Sequence, residues 1–269
     1  MAKKYIPMDL AFEHYAHVKQ EFNAQEYAKI CGELVKERYS IMTESEGYEA
    51  FFRGDLQQPD KVSIVWMHDI ERPNDNYLAL KMAEMEHAFG FRSSYNIRVV
   101  SVIDPVWRED LFKIRDLGHE FQYQHEDIVI TEGDKAAGIE SFKKNMEYLR
   151  GFFPEIKYAF GHGVYKAQWD SSALVRKEDR TWDEEAIAAC GLPPFGEFYS
   201  LMTEMKKKFG DHFHYFGEST CIGGDEFVAA LKSCVPGDVV MFLQHPTWWS
   251  SNYDFEDLKY ILRKSVFFR

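Results

Sequence analysis

The sequence predicts an α/β protein of one domain whose strands run parallel. Three observations predict it. Short apolar runs rich in β-branched residues alternate with stretches of helical periodicity, which is the pattern of repeated βα units. Four of these runs end in a polar cluster holding histidine or carboxylate, as parallel strands do when they deliver side chains to one rim. The 269 residues, 45% hydrophobic and 28% charged, suffice for a full core without division into two domains. On these grounds alone the strands either close as a barrel or form a doubly wound sheet.

Taken in order, the first sixty residues read as two amphipathic helices, about 9–22 and 24–38, followed by the polar segment "MTESEGYEAFFRGDLQQPD". "VSIVWM" is a strand by its β-branched content and short length. After Pro73, Asn74 or Asp75 caps a helix in which Leu78, Met82, Met85 and Phe89 recur at helical spacing, and Gly90 ends it. "FRSSYNIRVVSVI" is a second strand region, "REDLFKIRDLG" a short helix and "HEFQYQ" a third strand. A helix over about 134–151 follows, with Ile139, Phe142, Met146 and Leu149 on one face, and then the short strand "KYAF". Residues 161–222 read as short strands and loops, with His212 and His214 as strand residues without a role. The end is regular: helix "DEFVAALKSC", strand "VVMFLQH", loop "PTWWSSN" and a closing helix "YDFEDLKYILRK".

Composition excludes several classes of function. The 44 acidic residues outnumber 32 basic ones, for a net charge of −12, and no Lys/Arg run tracks a phosphate backbone, so nucleic acid is not an expected partner. No apolar segment reaches the length of a membrane span, and "MAKKYIPMDLAFEHY" lacks the apolar stretch of a signal peptide, so a cytoplasmic location is expected. Cys31, Cys190, Cys221 and Cys234 are scattered, without a C-x-x-C pair, and read as buried thiols in a reducing compartment. There is no G-x-S-x-G, no P-loop and no G-x-G-x-x-G.

The four clusters are "HDIE" at 68–71, "QHED" at 124–127, "GHG" at 161–163 and "QHP" at 244–246. Along an extended chain Asp69 and Glu71 point to one side and His68 to the other. By the same alternation His119 and His125 share one face, Glu120 and Gln124 the opposite one. Each group also has an ordinary structural use: strand-end charges, a helix cap, a satisfied core histidine. A mixture of imidazole and carboxylate drawn from separate strands suits a divalent metal such as Zn, Co, Ni or Fe. His162 lies between two glycines, which let backbone approach closely. His245 ends the most apolar strand and has the placement of a general acid. Trp248 and Trp249 offer faces for stacking on a sugar, with core packing as their ordinary use.

In this order the clusters resemble a divergent branch of the polysaccharide deacetylase (NodB-homology) superfamily. The similar stretches are "MHDIERPNDNYLALKMAEMEHAFGFRSSYNIR", "IRDLGHEFQYQHEDI", the helix "GIESFKKNMEYLRGFFP", "GHG" and "FLQHPTWW", together covering about 60–265. The resemblance implies a distorted (β/α)7-type barrel with an N-terminal helical leader over 1–60, binding one divalent metal and cleaving the N-acetyl group of a sugar. It further implies Asp69 as the metal aspartate or the base, Glu71 as the nearby carboxylate and His245 as the acid. Aligning G-H-E puts Gln124 at the first metal histidine. Either a one-residue bulge then delivers His125, with His162 or His119 completing the site, or the metal is weak or absent and the chain is a degenerate barrel that binds a glycan or partner without catalysis. The metal set expected is Asp69, His125 and His162, and Trp248, Trp249, Gln124 and His68 are expected to face a carbohydrate precursor of surface polysaccharide.

Overall fold

A computed structural model describes residues 21–163, 167–217, 221 and 223–250. Seven strands form one sheet: β1 (Tyr39–Met42), β2 (Val62–Ile70), β3 (Ser94–Ile97), β4 (Glu120–His125), β5 (Ala159–Gly161), β6 (Phe213–Phe216) and β7 (Val239–Gln244). The order is β5-β4-β3-β2-β7-β6, with β1 added to β2, and every ladder is parallel. One edge of β2 serves two strands. Its first half, Val62–Val65, pairs with β1, and its second half, Met67–Ile70, pairs with β3. The sheet curls into a half-barrel, consistent with a distorted barrel.

Parity along the strands separates two apolar faces. Val65 and Met67 of β2, Phe160 of β5 and Val239, Met241 and Leu243 of β7 meet α2 (Glu44–Arg53) and α9 (Phe198–Phe209) on the inner face. The alternate residues Ile64, Trp66, Val240 and Phe242 face outward, against α1 (Ala24–Leu34), α3 (Asp75–Phe89) and α10 (Gly224–Ser233). Tyr95, Phe121 and Tyr123 also face outward, toward α5 (Pro105–Asp116) and α7 (Lys135–Arg150). Because β2 is covered on both faces, all nine of its residues are buried, which is why it reads as a continuous apolar run.

The outer face holds one buried ionic hub. Glu86 of α3, fully buried, accepts from Tyr27, from Trp66 Nε1 at 2.8 Å, from Ser93 Oγ at 2.6 Å and from Tyr95 at 3.0 Å, and His68 Nε2 lies 2.7 Å away. Burial pushes this carboxyl up, but His68, His119 and the Ser93 hydroxyl outweigh it and hold it down at about 2. His119 is a satisfied core residue: Nδ1 accepts from the Ser93 amide at 3.1 Å, and Nε2 reaches the Ala83 carbonyl at 3.1 Å.

Several elements differ from expectation. The helix at 24–38 stops at Leu34, and Tyr39–Met42, where no strand was expected, is a strand of the sheet. "ESEGYEAFFR" is a helix, α2, closed at one end by a Thr43/Glu46 capping box and at the other by Gly54 in the left-handed region. Residues 39–53 are therefore built into the half-barrel and are no appendage to it. "RVVSVI" leaves the strand after Ile97 and turns into α4 (Val100–Ile103). Residues 184–209, read as loops and short strands, contain α8 (Glu184–Ala189) and α9. The closing helix and nearly all of the helix at 9–22 lie outside the described residues.

Helix α10 starts hard against α1. A Cβ on Gly224 would stand 2.4 Å from the Glu26 carbonyl oxygen, a backbone atom with no room to give. Gly224→Ala is expected to destabilise the protein by about 1–3 kcal/mol through overpacking, read as a lower urea midpoint.

Candidate active site

The inner-face parity of each strand continues past its carboxyl end. From Val65 and Met67 it leads to Asp69 and Glu71; from Phe160 to His162; from Met241 and Leu243 to His245. On β4 it gives Gln122, Gln124 and Glu126, and on β3 it gives Ser94, Asn96 and Arg98. These side chains form one connected cluster.

At its centre is Asp69, 2% exposed, whose Oδ1 accepts from Asn96 Nδ2 at 2.8 Å and Oδ2 from Gln124 Nε2 at 3.0 Å. Gln124 Nε2 also donates to Glu71 Oε1 at 3.2 Å. His245 Nε2 stands 3.3 Å from Glu71 Oε1 and 3.9 Å from Asp69 Oδ2. On the far side, His162 lies between two carboxylates: Nε2 meets Glu71 Oε2, and Nδ1 meets Glu126 Oε2 at 3.1 Å. Arg98 closes the chain, donating from Nη2 to Glu126 and from Nη1 to the Glu71 carbonyl at 2.8 Å. In a flat sheet β5 and β2 would stand roughly 14 Å apart, three strand spacings of about 4.8 Å, so the His162–Glu71 contact depends on the curl. Gly161 lets the chain in: a Cβ there would lie 3.2 Å from the Ser172 amide.

Electrostatics set the two central carboxylates apart. Burial pushes Asp69 up to about 7, with Glu71 adding repulsion, while His245 and the Asn96 amide pull the other way. Burial acts upward on Glu71 as well, but His162 and His245 outweigh it and hold this carboxyl well below the usual range. His162 is drawn down by burial and, more strongly, up by Glu71 and Glu126, reaching about 9. Glu126, raised by burial, is held at about 2 by His162 and Arg98. At the first turn of α3, Asp75 is 1% exposed, and burial pushes it up to about 7 within electrostatic reach of Arg72, Glu71 and His245. Burial also raises the Tyr199 phenol of α9, with Asp69 and Glu197 adding to it.

Asp69, Glu71 and His245 each offer a donor atom, and the three atoms lie within 4.8 Å of one another. This set differs from the one expected. His125 does not join it. β4 runs without a bulge, pairing Tyr123, Gln124 and His125 with Ala159, Phe160 and Gly161, so His125 points outward against the Phe142 ring, 5.2 Å between centroids. Burial lowers it to about 4, and neither ring nitrogen has a hydrogen-bond partner among the described residues. His162 enters the cluster as a partner of Glu71 and Glu126 and lies outside the trio of donor atoms. His68 faces Glu86 on the outer side, fully buried, and so cannot meet a substrate at the rim. Trp249 is 1% exposed and packs edge-on against Tyr27 at 5.0 Å, which removes it as a stacking platform. Trp248 is half-buried. Gln124 does reach the cluster, as an amide that bridges both carboxylates.

Asn96, Arg98 and Glu126 were not foreseen. The signal for them was the same alternation, which puts Asn96 on the inner face of β3 and carries on to Arg98 and Glu126, one residue past the ends of β3 and β4.

Fold and cluster together define a class: a parallel α/β half-barrel with an acid–imidazole cluster at the carboxyl ends of its strands. No known protein family, no curated protein and no solved structure matches the chain. Among the described residues no helix is long and apolar enough to cross a membrane.

Proposed function

We propose that the chain is a metal-dependent hydrolase that removes the N-acetyl group from a sugar, a deacetylase-like enzyme on a distorted (β/α)7-type barrel. The substrate is a cytoplasmic precursor of surface polysaccharide. The single observation that carries this reading is the convergence of Asp69, Glu71 and His245, from two neighbouring strand ends, within 4.8 Å. Two carboxylate oxygens and one imidazole nitrogen are a donor set for Zn, Fe, Co or Ni, with positions left for water and substrate. Bound there, such an ion supplies a Lewis acid for the amide carbonyl and lowers the pKa of water toward about 7.

The chain's own groups do the rest. Asn96 and Gln124 fix both oxygens of Asp69, and His162 with Gln124 fixes both oxygens of Glu71, so neither carboxylate has to reorganise during reaction. Asp69 or Glu71 takes the proton of the attacking water. His245 Nε2, 3.3 Å from Glu71, is either the third metal donor or the group that protonates the leaving amine. The roles are mutually exclusive, because a nitrogen that holds an ion has no proton to give. The metal content of His245→Ala separates them: full retention assigns the acid, and loss assigns the ligand.

A second reading, a non-catalytic barrel that binds a glycan or partner, is favoured by Gln124. Its amide engages both carboxylates at the place where the resemblance expects a metal histidine. Elemental analysis of protein purified without chelator tests the choice. About one equivalent of metal together with acetate release from N-acetylated sugars supports the enzyme. No metal even after soaking with Zn, Co or Ni supports the binder. Gln124→His is expected to tighten metal binding at least about tenfold by adding an imidazole beside Asp69, measured by competition with a chromogenic chelator.

A further inference from the structure

At the opposite end of the last strands, away from the rim, two histidines converge on one carboxylate. Among the described residues β6 is the outermost strand of its side of the sheet. His212 ends the short 3-10 turn Gly210–His212 directly before it and His214 lies within it, and both side chains turn to the same carboxylate. Asp238, next to the first residue of β7, lies beside them. His212 Nδ1 is 2.9 Å from Asp238 Oδ1, and His214 Nε2 is 3.3 Å from Oδ2. The carboxylate is fixed from behind, since Oδ2 accepts from the Val235 amide at 2.8 Å. The His214 ring is fixed as well, lying nearly parallel to Phe216 at 5.9 Å.

The geometry points to a second divalent-metal site, formed by His212, His214 and Asp238 and suited to Zn, Co, Ni or Cu. Bonds of about 2.0–2.1 Å in a tetrahedral site separate donor atoms by about 3.4 Å. The two histidine–aspartate separations already stand near that value, while the three donor atoms do not yet all lie within 4.8 Å of one another as those of the rim trio do. The donor set has two imidazoles and one carboxylate, and the outward side remains open to water. Its aspartate is only 5% exposed and already oriented by a backbone amide, which is the support that a metal carboxylate needs. The two rings now address different oxygens, and closing on one ion takes a rotation of His212. That side chain is 57% exposed, so the rotation meets little packing. An ion held here ties β6 to the start of β7, the strand it already pairs with.

The plain alternative is two ordinary histidine–aspartate contacts at a surface, which contribute little to stability. Cobalt titration of the untagged full chain separates the two. The protein carries Asp69→Ala and His245→Ala, so that the rim cluster cannot answer for the result, and circular dichroism establishes that it is folded. One equivalent of Co2+ is expected to bind, with visible d–d bands, to be displaced by Zn2+ and to raise the melting temperature. Adding His212→Ala or His214→Ala is expected to weaken that binding at least tenfold. Both changes are at solvent-accessible positions, and His212→Gln serves as a milder check. No bound cobalt in the rim-disabled protein overturns the site. So does an equivalent that survives both histidine changes.

Discussion

Asp69→Asn is expected to lower the release of acetate from an N-acetylated sugar by roughly 10²–10⁴-fold, the range for loss of a proton-transfer group, while the protein stays folded. The local packing explains why the fold survives. Asp69 accepts from Asn96 and Gln124, and the amide oxygens of both, Asn96 Oδ1 and Gln124 Oε1, are buried without partners among the described residues. An asparagine at 69 keeps one acceptor and brings one donor. Turning over the Gln124 amide gives that donor an oxygen, at the cost of moving the Gln124 NH2 away from Glu71 to where its oxygen had no partner, so the exchange costs about 1–3 kcal/mol and leaves the fold standing. The substitution also removes a carboxylate that burial disfavours. Thermal unfolding in the presence of chelator, compared with initial rates, checks both halves. Full activity in the variant would refute the proposed role, and a molten or aggregated product would refute the packing account.

The largest stability effect is expected at Glu86→Gln. This carboxylate gathers Tyr27 from α1, Trp66 and His68 from β2, and Ser93 and Tyr95 from the segment of β3, all in a site without solvent. A glutamine retains one oxygen and sets an N–H pair against groups that donate to Glu86, so donors are left unmet. Breaking a buried charged network from one side costs about 3–5 kcal/mol. At roughly 2–4 °C per kcal/mol for a chain of this size, the melting temperature is expected to fall by about 6–20 °C. The pH dependence has a definite sign. The carboxyl titrates at about 2 in the folded protein against an ordinary value of 4.5, so its contribution is present above about 4.5 and is lost as the pH falls toward 2. That gap corresponds to roughly 3 kcal/mol. Wild type is expected to lose stability over this window, and Glu86→Gln to show a flatter profile. Equal slopes would mean that Glu86 is not the titrating group.

Much of the site was legible because strand parity is local. In "VSIVWMHDIE" alternation alone puts Asp69 and Glu71 on one side and His68 on the other, and in "HEFQYQHED" it pairs His119 with His125 against Gln124. The structure keeps both separations. The expectation that His125 ligates a metal came from a family pattern that requires a bulge, and the unbroken pairing of β4 with β5 leaves it on the outer face. The "TESE" capping box was a readable start for α2, yet its polar composition concealed a helix whose buried side chains, Ala50 and Phe51, pack beneath the sheet. Trp249 was ambiguous for a related reason. An indole after a strand end can serve as platform or, more ordinarily, as core, and the Tyr27 ring beside it decides for the core.

The sequence by itself determined the alternation of strands and helices through the middle and end of the chain, the parity of each strand it located and the presence of acids and imidazoles at four strand ends. These are short-range properties, set where side chains alternate along an extended backbone. Only the tertiary structure decided which face of each strand became the inner one, that β7 would lie beside β2 and bring His245 to Asp69, and that curling would carry His162 across to Glu71. Those outcomes depend on apolar area buried between segments far apart in the chain, a sum to which no single stretch of residues holds the answer.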